Sequence, residues 1–101
     1  MKAYLVTLQY SCDNSDGIEI EVFSTYDKAL TRFNEIIEVE TQPNMSYTAN
    51  AFENGNLLSG YELDTSPEYN DNQEHEHWWN LTCKHDWYLH TFIELRFTEV
   101  K

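Results

Sequence analysis

The clearest alternation of apolar and polar residues lies in the segment GIEIEVF. There Ile18, Ile20 and Val22 alternate with Glu19 and Glu21. A period of two residues is typical of a β-strand with one face in the core and the other in water. We therefore expect the three apolar side chains to be buried and the two glutamates to face solvent.

The period then changes to that of a helix. Apolar residues recur three and four positions apart, which predicts an amphipathic helix over residues 25–40 with one stripe on a core. Ser24 stands at the change of period and is the predicted N-cap, from which Asp27 lies three residues on, as in a capping box. The apolar stripe consists of Tyr26, Ala29, Leu30, Phe33, Ile36 and Ile37.

The chain on either side of this helix predicts two hairpins. The stretch KAYLVTLQY is apolar on both faces, which indicates an interior strand, and the turn residues of SCDNSDG join it to the next strand in a hairpin over residues 1–24. Asn54-Gly55 is a strong signal for a two-residue type I′ turn and predicts a hairpin over residues 47–63. A short helix over residues 49–52 is the alternative.

The C-terminal third predicts a loop and a third hairpin. Residues 64–76 are polar and acidic without periodicity, which predicts either a disordered segment or a functional loop. Residues 77–100 alternate again and predict a C-terminal hairpin. We expect a single α+β domain over residues 1–101, with an antiparallel sheet of about four to six strands and one main amphipathic helix packed on one face. The predicted inward side chains of this hairpin are His77, Trp79, Leu81, Cys83, Leu89, Thr91, Ile93, Leu95 and Phe97.

The charge balance bears on function. The 101 residues contain 18 Asp and Glu against 6 Lys and Arg, a formal net charge of −12. Such a charge disfavours direct binding to nucleic acid or to an anionic membrane surface, and it favours a basic partner. The alternative is that the acidity serves solubility alone.

Cysteine usage and apolar runs indicate the compartment. Cys12 and Cys83 lie far apart, and the apolar run after Met1 is too short for a signal peptide. The apolar stretches are also shorter than a membrane span. We expect a cytoplasmic protein with reduced thiols.

Side chains of the kind that bind metal concentrate near the start of the last hairpin: His75, His77, Cys83 and His85. Their donor atoms suit tetrahedral zinc if the chain folds back on itself. A straight strand, however, places residue 83 about 20 Å from residue 77, because each residue rises about 3.3 Å. The competing interpretation is that these histidines lie at the rim of a hairpin, and we expect no metal and no cofactor.

Signatures of catalysis are missing from the sequence. It contains no G-x-S-x-G, no P-loop, no G-x-G-x-x-G and no C-x-x-C. The acidic turn before Ile18 departs from the EF-hand pattern. Carboxylate pairs on an outward strand face would be solvated and would lack the perturbed pKa that acid–base catalysis needs. We expect no enzymatic activity.

Acidic residues outside the core pattern are the leading candidates for partner binding. On one face they would present carboxylates to a protein surface that recognises phosphates with arginine and lysine, so the protein would act as a nucleic-acid mimic. These candidates are Glu19, Glu21, Glu62, Asp64, Glu68, Asp71, Glu74 and Glu76.

The tryptophans give the alternative binding surface. Trp78 and Trp79 lie on opposite faces of one predicted strand, and Trp87 follows close behind. An exposed tryptophan is a frequent interface anchor. The protein would then be an interaction or accessory domain that binds through its aromatic hairpin and is acidic only for solubility.

The opening MKAYLVT, followed by a hairpin and by VFSTYDKA leading into a helix, resembles the start of small phage and mobile-element proteins. Some anti-CRISPR and anti-restriction proteins are similar in size, acidity and strand–helix make-up. The resemblance covers residues 1–40, and no functional residue is carried over from it. It implies an inhibitor of a host defence protein, such as a CRISPR nuclease, acting in the host cytoplasm. A homodimer through an open sheet edge is a further alternative.

Overall fold

A computed structural model describes residues 1–12, 15–42, 51–85 and 89–100. In it the chain folds into an α+β arrangement. The predicted class, one main helix on an antiparallel sheet, is confirmed. Trp87 and residues 47–50 of the second predicted hairpin lie outside the described residues. The elements are β1 (Lys2–Cys12), β2 (Ser15–Phe23), α1 (Tyr26–Thr41), β3 (Phe52–Glu53), β4 (Asn56–Leu57), β5 (Tyr61–Thr65), β6 (His77–Cys83) and β7 (His90–Glu99).

Five strands form one antiparallel sheet in the order β2-β1-β7-β6-β5. The strand that is apolar on both faces, β1, lies inside the sheet as predicted, between β2 and β7. Its pairing with β7 runs from Lys2 opposite Glu99 to Ser11 opposite His90. The sheet therefore joins the N-terminal and C-terminal strands near its middle and leaves β2 and β5 as its two edges.

The core lies between the sheet and α1. Ala29, Phe33 and Ile36 of the helix stripe are buried, and the helix packs on β1, β2 and β7. Burial alternates along β6 and along most of β7, as the sequence predicts for strands with one covered face. The most fully buried side chains on the sheet include Val6, Ile93 and Leu95.

The predicted burial of β2 is wrong. Ile18, Ile20 and Val22 are 61%, 55% and 65% exposed. The hairpin register places Val6 opposite Glu21, and residues directly opposite each other share a face. Because Val6 must face the core, Glu21 lies on the helix side, and the apolar row points away from the helix.

Alternation shows that a strand has two different faces but does not show which face is covered, and a one-residue change of register exchanges them. At this edge the helix presents a polar flank. Arg32 Nε donates to Glu21 Oε2 at 2.6 Å, so the glutamate has its own ion partner on the helix side.

The helix begins one residue later than predicted. Thr25, rather than Ser24, is the N-cap: its backbone is extended, and its Oγ1 accepts a hydrogen bond from the Lys28 amide at 3.4 Å. Asp27 still lies in the first turn, where its charge favours the helix dipole. The helix ends at Thr41.

The Asn54-Gly55 turn is present, but its hairpin is shorter than predicted. Asn54 and Gly55 have φ values of 54° and 81°, the positive values that a type I′ turn requires. The turn joins β3 to β4, each two residues long. Residues 61–65 instead pair with β6 in the main sheet, which takes them out of the hairpin.

Candidate functional site

None of the described elements covers the face of the sheet that points away from α1. Every described side chain that the five strands direct away from α1 is exposed or half-buried. This uncovered face has two distinct regions, one along the β2 edge and one that extends from the β5 edge to the central strand β7. The apolar edge consists of Ile18, Ile20 and Val22 on β2, and the acidic patch consists of Glu62, Asp64, Glu76 and Glu94 around Trp78.

The acidic patch follows from the register of three strands. Glu62 and Asp64 are two residues apart on β5, so both point to the uncovered face about 7 Å from each other. Glu94 of β7 lies directly opposite Trp78 of β6. Together with Glu76, which precedes β6, these side chains line shallow grooves on the uncovered face.

One arginine lies among these four carboxylates. Arg96 Nη2 donates to Glu94 Oε2 at 2.7 Å, and this bond, with the nearby negative charge of Glu76, raises the pKa of Arg96. The formal charge of the group is therefore −3. Glu62 and Asp64 are exposed at the outer edge, where they are accessible to a partner.

The structure does not bring Glu19 and Glu21 to this patch. They lie on β2, at the opposite edge of the sheet and on the helix side. Four strand spacings separate β2 from β5, a distance of about 19 Å. The acidic surface predicted from the sequence is thus divided between two edges and two faces.

Three other predicted residues belong to the ordered connection between β5 and β6, residues 66–76. Glu74 accepts hydrogen bonds from Tyr4 Oη at 2.7 Å and from Lys2 Nζ at 3.3 Å. These donors lower the pKa of Glu74, while the carboxylate raises the pKa of Tyr4 to about 12. Glu74 therefore fastens the connection to β1.

The remaining bonds of this connection are local. Asp71 contacts His75 Nε2 at 2.6 Å and accepts from the Gln73 amide at 3.0 Å, and both interactions lower the pKa of Asp71. Ser66 exchanges backbone and hydroxyl hydrogen bonds with Trp78 at the base. Glu68 is exposed. The predicted acidic loop is thus an ordered connection, which the carboxylates of Asp71 and Glu74 stabilise through hydrogen bonds.

The two adjacent tryptophans have different surroundings. Trp79 is 6% exposed and stacks on Phe52 with ring centroids 6.1 Å apart, so it belongs to the core. Trp78 is half-buried on the uncovered face, in the middle of the acidic patch. Of these two tryptophans, Trp78 is therefore the one available to a partner.

The metal candidates are not brought together. His75 contacts Asp71 and His77 contacts Tyr26, whereas Cys83 is buried at the far end of β6 and His85 is exposed beyond it. Within the described ranges, no group of three or more histidine, cysteine, aspartate or glutamate side chains is arranged to hold a metal ion. The side chain of Cys12 lies outside the described part of the chain.

A cleft lies between α1 and residues 66–76, and it was not predicted from the sequence. It has a volume of about 720 Å³. His77 lies in it, with its Nε2 at 2.6 Å from Tyr26 Oη and its ring against Phe33 and Tyr69. Partial burial is the main cause that lowers the pKa of His77, and the charge of the nearby His75 lowers it further. The alternation of β6 predicts that His77 points inward. The cleft could not be predicted, because it depends on the path of residues 66–76.

The lowered pKa of His77 predicts a loss of stability in acid. The unfolded chain binds a proton at His77 more readily than the folded chain does, so stability falls as the pH drops below the ordinary value of 6.5. We expect the free energy of unfolding of the wild type to fall relative to that of His77→Phe between about pH 7.5 and about pH 5. Urea titrations of both proteins across this range measure the difference. Parallel curves would contradict the prediction.

Comparisons with protein-family models, with curated proteins and with solved structures returned no match. Among the described residues, no helix is long and apolar enough to cross a bilayer. The arrangement of charge and exposed surface is therefore the basis for a proposal of function.

Proposed function

We infer that this protein is a non-enzymatic inhibitor that binds, through its acidic patch, the basic surface with which another protein recognises nucleic acid. The observation that carries this proposal is the acidic patch itself. Four carboxylates surround a single arginine there, on a sheet face that no described element covers.

Carboxylates can take the place of phosphates on such a surface. Most contacts that proteins make to DNA go to the sugar–phosphate backbone, with Arg and Lys among the chief donors. A carboxylate accepts the same charge-assisted hydrogen bonds and can bind a guanidinium through both oxygens. With a net charge of −12, the chain would also steer a cationic surface towards itself before contact.

The proposed target is a host defence protein, a CRISPR nuclease or a restriction enzyme, met in the host cytoplasm. Three properties support this assignment: the small size, the strong acidity, and the strand–helix start that resembles anti-CRISPR and anti-restriction proteins. The thiol of Cys83 is free and buried, which suits a reducing compartment.

A second candidate function is protein binding through the aromatic part of the same face. Trp78 and Phe92 are both half-buried there, and Trp78 has the environment of an interface anchor. In that case the partner surface would be apolar, and the acidity would contribute solubility alone.

Salt and charge reversal distinguish the two functions. Tagged protein captures partners from host lysate and is washed at about 50 mM and about 500 mM salt, which shortens the Debye length about threefold. Mimicry predicts that a nucleic-acid-binding protein is retained at low salt, released at high salt and displaced by duplex DNA. Salt-independent retention of a partner that binds no nucleic acid, lost in Trp78→Ala, would favour the second function.

A double charge reversal locates the binding surface. Glu62→Lys with Asp64→Lys should weaken binding at low salt by about tenfold or more, since exposed ion pairs contribute up to about 1 kcal/mol each and reversal adds repulsion. The control is Glu38→Lys with Glu53→Lys, which makes the same change in net charge at exposed positions on α1 and β3. Equal weakening in both variants would show that net charge, and not the acidic patch, governs binding.

A further inference from the structure

The second surface of interest is the free edge of β2. This strand is nine residues long and pairs on one side with β1, whereas on its other side no described strand pairs with it. A long free edge carries a row of backbone amide and carbonyl groups that another chain can pair with, and most proteins shield such edges. β2 is long and flanked by exposed apolar residues, so its edge is well suited to pairing.

Side chains of opposite character line the two faces of this edge. On the uncovered face lie Ile18, Ile20 and Val22, each more than half exposed. On the helix side lie Glu19 and Glu21, both exposed. An added strand would therefore meet apolar side chains on one face and carboxylates on the other, alternating residue by residue.

We propose that the β2 edge binds an extended segment of a partner protein as an additional strand, and that this segment alternates apolar residues with lysine or arginine. Main-chain hydrogen bonds to the free edge supply affinity, and the two rows of side chains supply specificity. The apolar residues of the segment pack on the apolar edge. Its cations lie opposite Glu19 and Glu21.

Charge complementarity selects this occupant. Arg32 bonds both Glu21 and Glu35, and Glu19 lies on the same side of β2. Asp27 and Lys28 line the same surface and cancel each other, so the formal charge on the helix side of the edge is −2. Cations on an added strand neutralise this charge. Opposite charges on cross-strand neighbours are stabilising, whereas like charges directly opposite each other are destabilising.

A second copy of the chain fits the edge less well. When two copies of β2 pair about a two-fold axis with the isoleucines opposite each other, the glutamates also lie opposite each other, because residues that share a face are paired. Each copy also brings a net charge of −12. The edge is therefore matched to a cationic strand and not to itself.

This surface goes beyond the proposed function. It lies about 19 Å from Glu62 and Asp64 on β5, and two strand spacings, about 10 Å, from Glu94 on β7. Binding at the β2 edge does not require the acidic patch, and the two proposals can fail separately.

A synthetic peptide tests the proposal on the full chain. The probe is a short capped peptide that alternates valine and lysine, and its control has the same composition with the valines and lysines in separate blocks. We expect the alternating peptide to bind at least tenfold more tightly by fluorescence anisotropy, and to slow amide hydrogen exchange within Ser15–Phe23. Equal binding of the two peptides, or no binding, would overturn the proposal.

Two protein variants make the test specific to the edge. Ile20→Lys changes an exposed side chain of the apolar edge and should weaken binding at least tenfold, whereas Val39→Lys, at an exposed position on α1, should leave it unchanged. Equal effects of the two variants would overturn the proposal. So would concentration-dependent self-association abolished by Ile20→Lys, because the occupant would then be a second copy.

The acidic-patch variant separates this proposal from the proposed function. At about 150 mM salt, Glu62→Lys with Asp64→Lys should leave binding of the alternating peptide within about twofold of the wild type, because both residues lie at the far edge, beyond the Debye length of about 8 Å. A loss as large as that of Ile20→Lys would place the peptide on the acidic patch and overturn the assignment to β2.

Discussion

Replacing Ile93 with alanine is expected to lower the free energy of unfolding by about 2–5 kcal/mol. Ile93 has no exposed surface and lies in β7, the middle strand of the sheet. Leu8 is opposite it on one side and Trp79 on the other. Removing its side-chain carbons leaves a cavity that these neighbours cannot fill, so lost contacts add to the lost hydrophobic burial.

Ile20→Ala is the matched control, since it makes the same chemical change in a strand of the same sheet. Ile20 is 55% exposed on the uncovered face, so we expect a cost within about 0.5 kcal/mol. Urea denaturation of both variants measures the difference. Similar costs at the two positions would mean that β2 buries its apolar row, as the sequence pattern alone predicts, and would contradict the structure.

The adjacent tryptophans give the second large effect. Trp79→Ala should cost about 3–5 kcal/mol, because Trp79 is buried against Phe52 and the sheet core. Trp78→Ala removes a half-buried side chain from the uncovered face and should cost about 1 kcal/mol.

Denaturation followed by circular dichroism measures both costs without relying on the fluorescence of either tryptophan. A Trp78→Ala cost as large as that of Trp79→Ala would show that the uncovered face contributes to the core. It would also remove Trp78 from the candidate binding surface.

The elements of this fold could be predicted because each carries its own pattern. In β6 and β7 the alternation also gives the covered face correctly, since aliphatic residues such as Leu81, Ile93 and Leu95 fall on one side, while Glu94 and Arg96 of β7 fall on the other beside Trp78 and Phe92. The stripe from Tyr26 to Ile37 likewise gives the helix and its buried side.

The relation between elements was not predictable in the same way. The face of β2 depends on its register with β1, and therefore on which residues lie opposite Val6. Residues 66–76 are held on the sheet by the hydrogen bond from Tyr4 to Glu74, two residues that lie 70 positions apart in the sequence. No pattern within either segment contains this information.

The candidate site shows the same limit. The acidity of the chain and the opposite faces of the two adjacent tryptophans could be predicted from the sequence. The sequence does not show that Glu62 and Asp64 share a face with Trp78, or that Glu19 and Glu21 lie at the other edge. Separating the carboxylates that bind within the protein, such as Glu74, from those free to contact a partner requires the tertiary structure.

The pairing of β1 with β7 sets an order of events during synthesis. The β1–β2 hairpin and α1 leave the ribosome early. The strand that pairs with the other edge of β1 is β7, which extends to Glu99 and leaves later. Until then, Val6 and the helix residue Phe33 have no central strand to pack on. Contacts so distant in sequence slow folding, and the emerging chain exposes this apolar surface until β7 has left the ribosome. We therefore expect chaperones to bind the nascent chain until β7 is released.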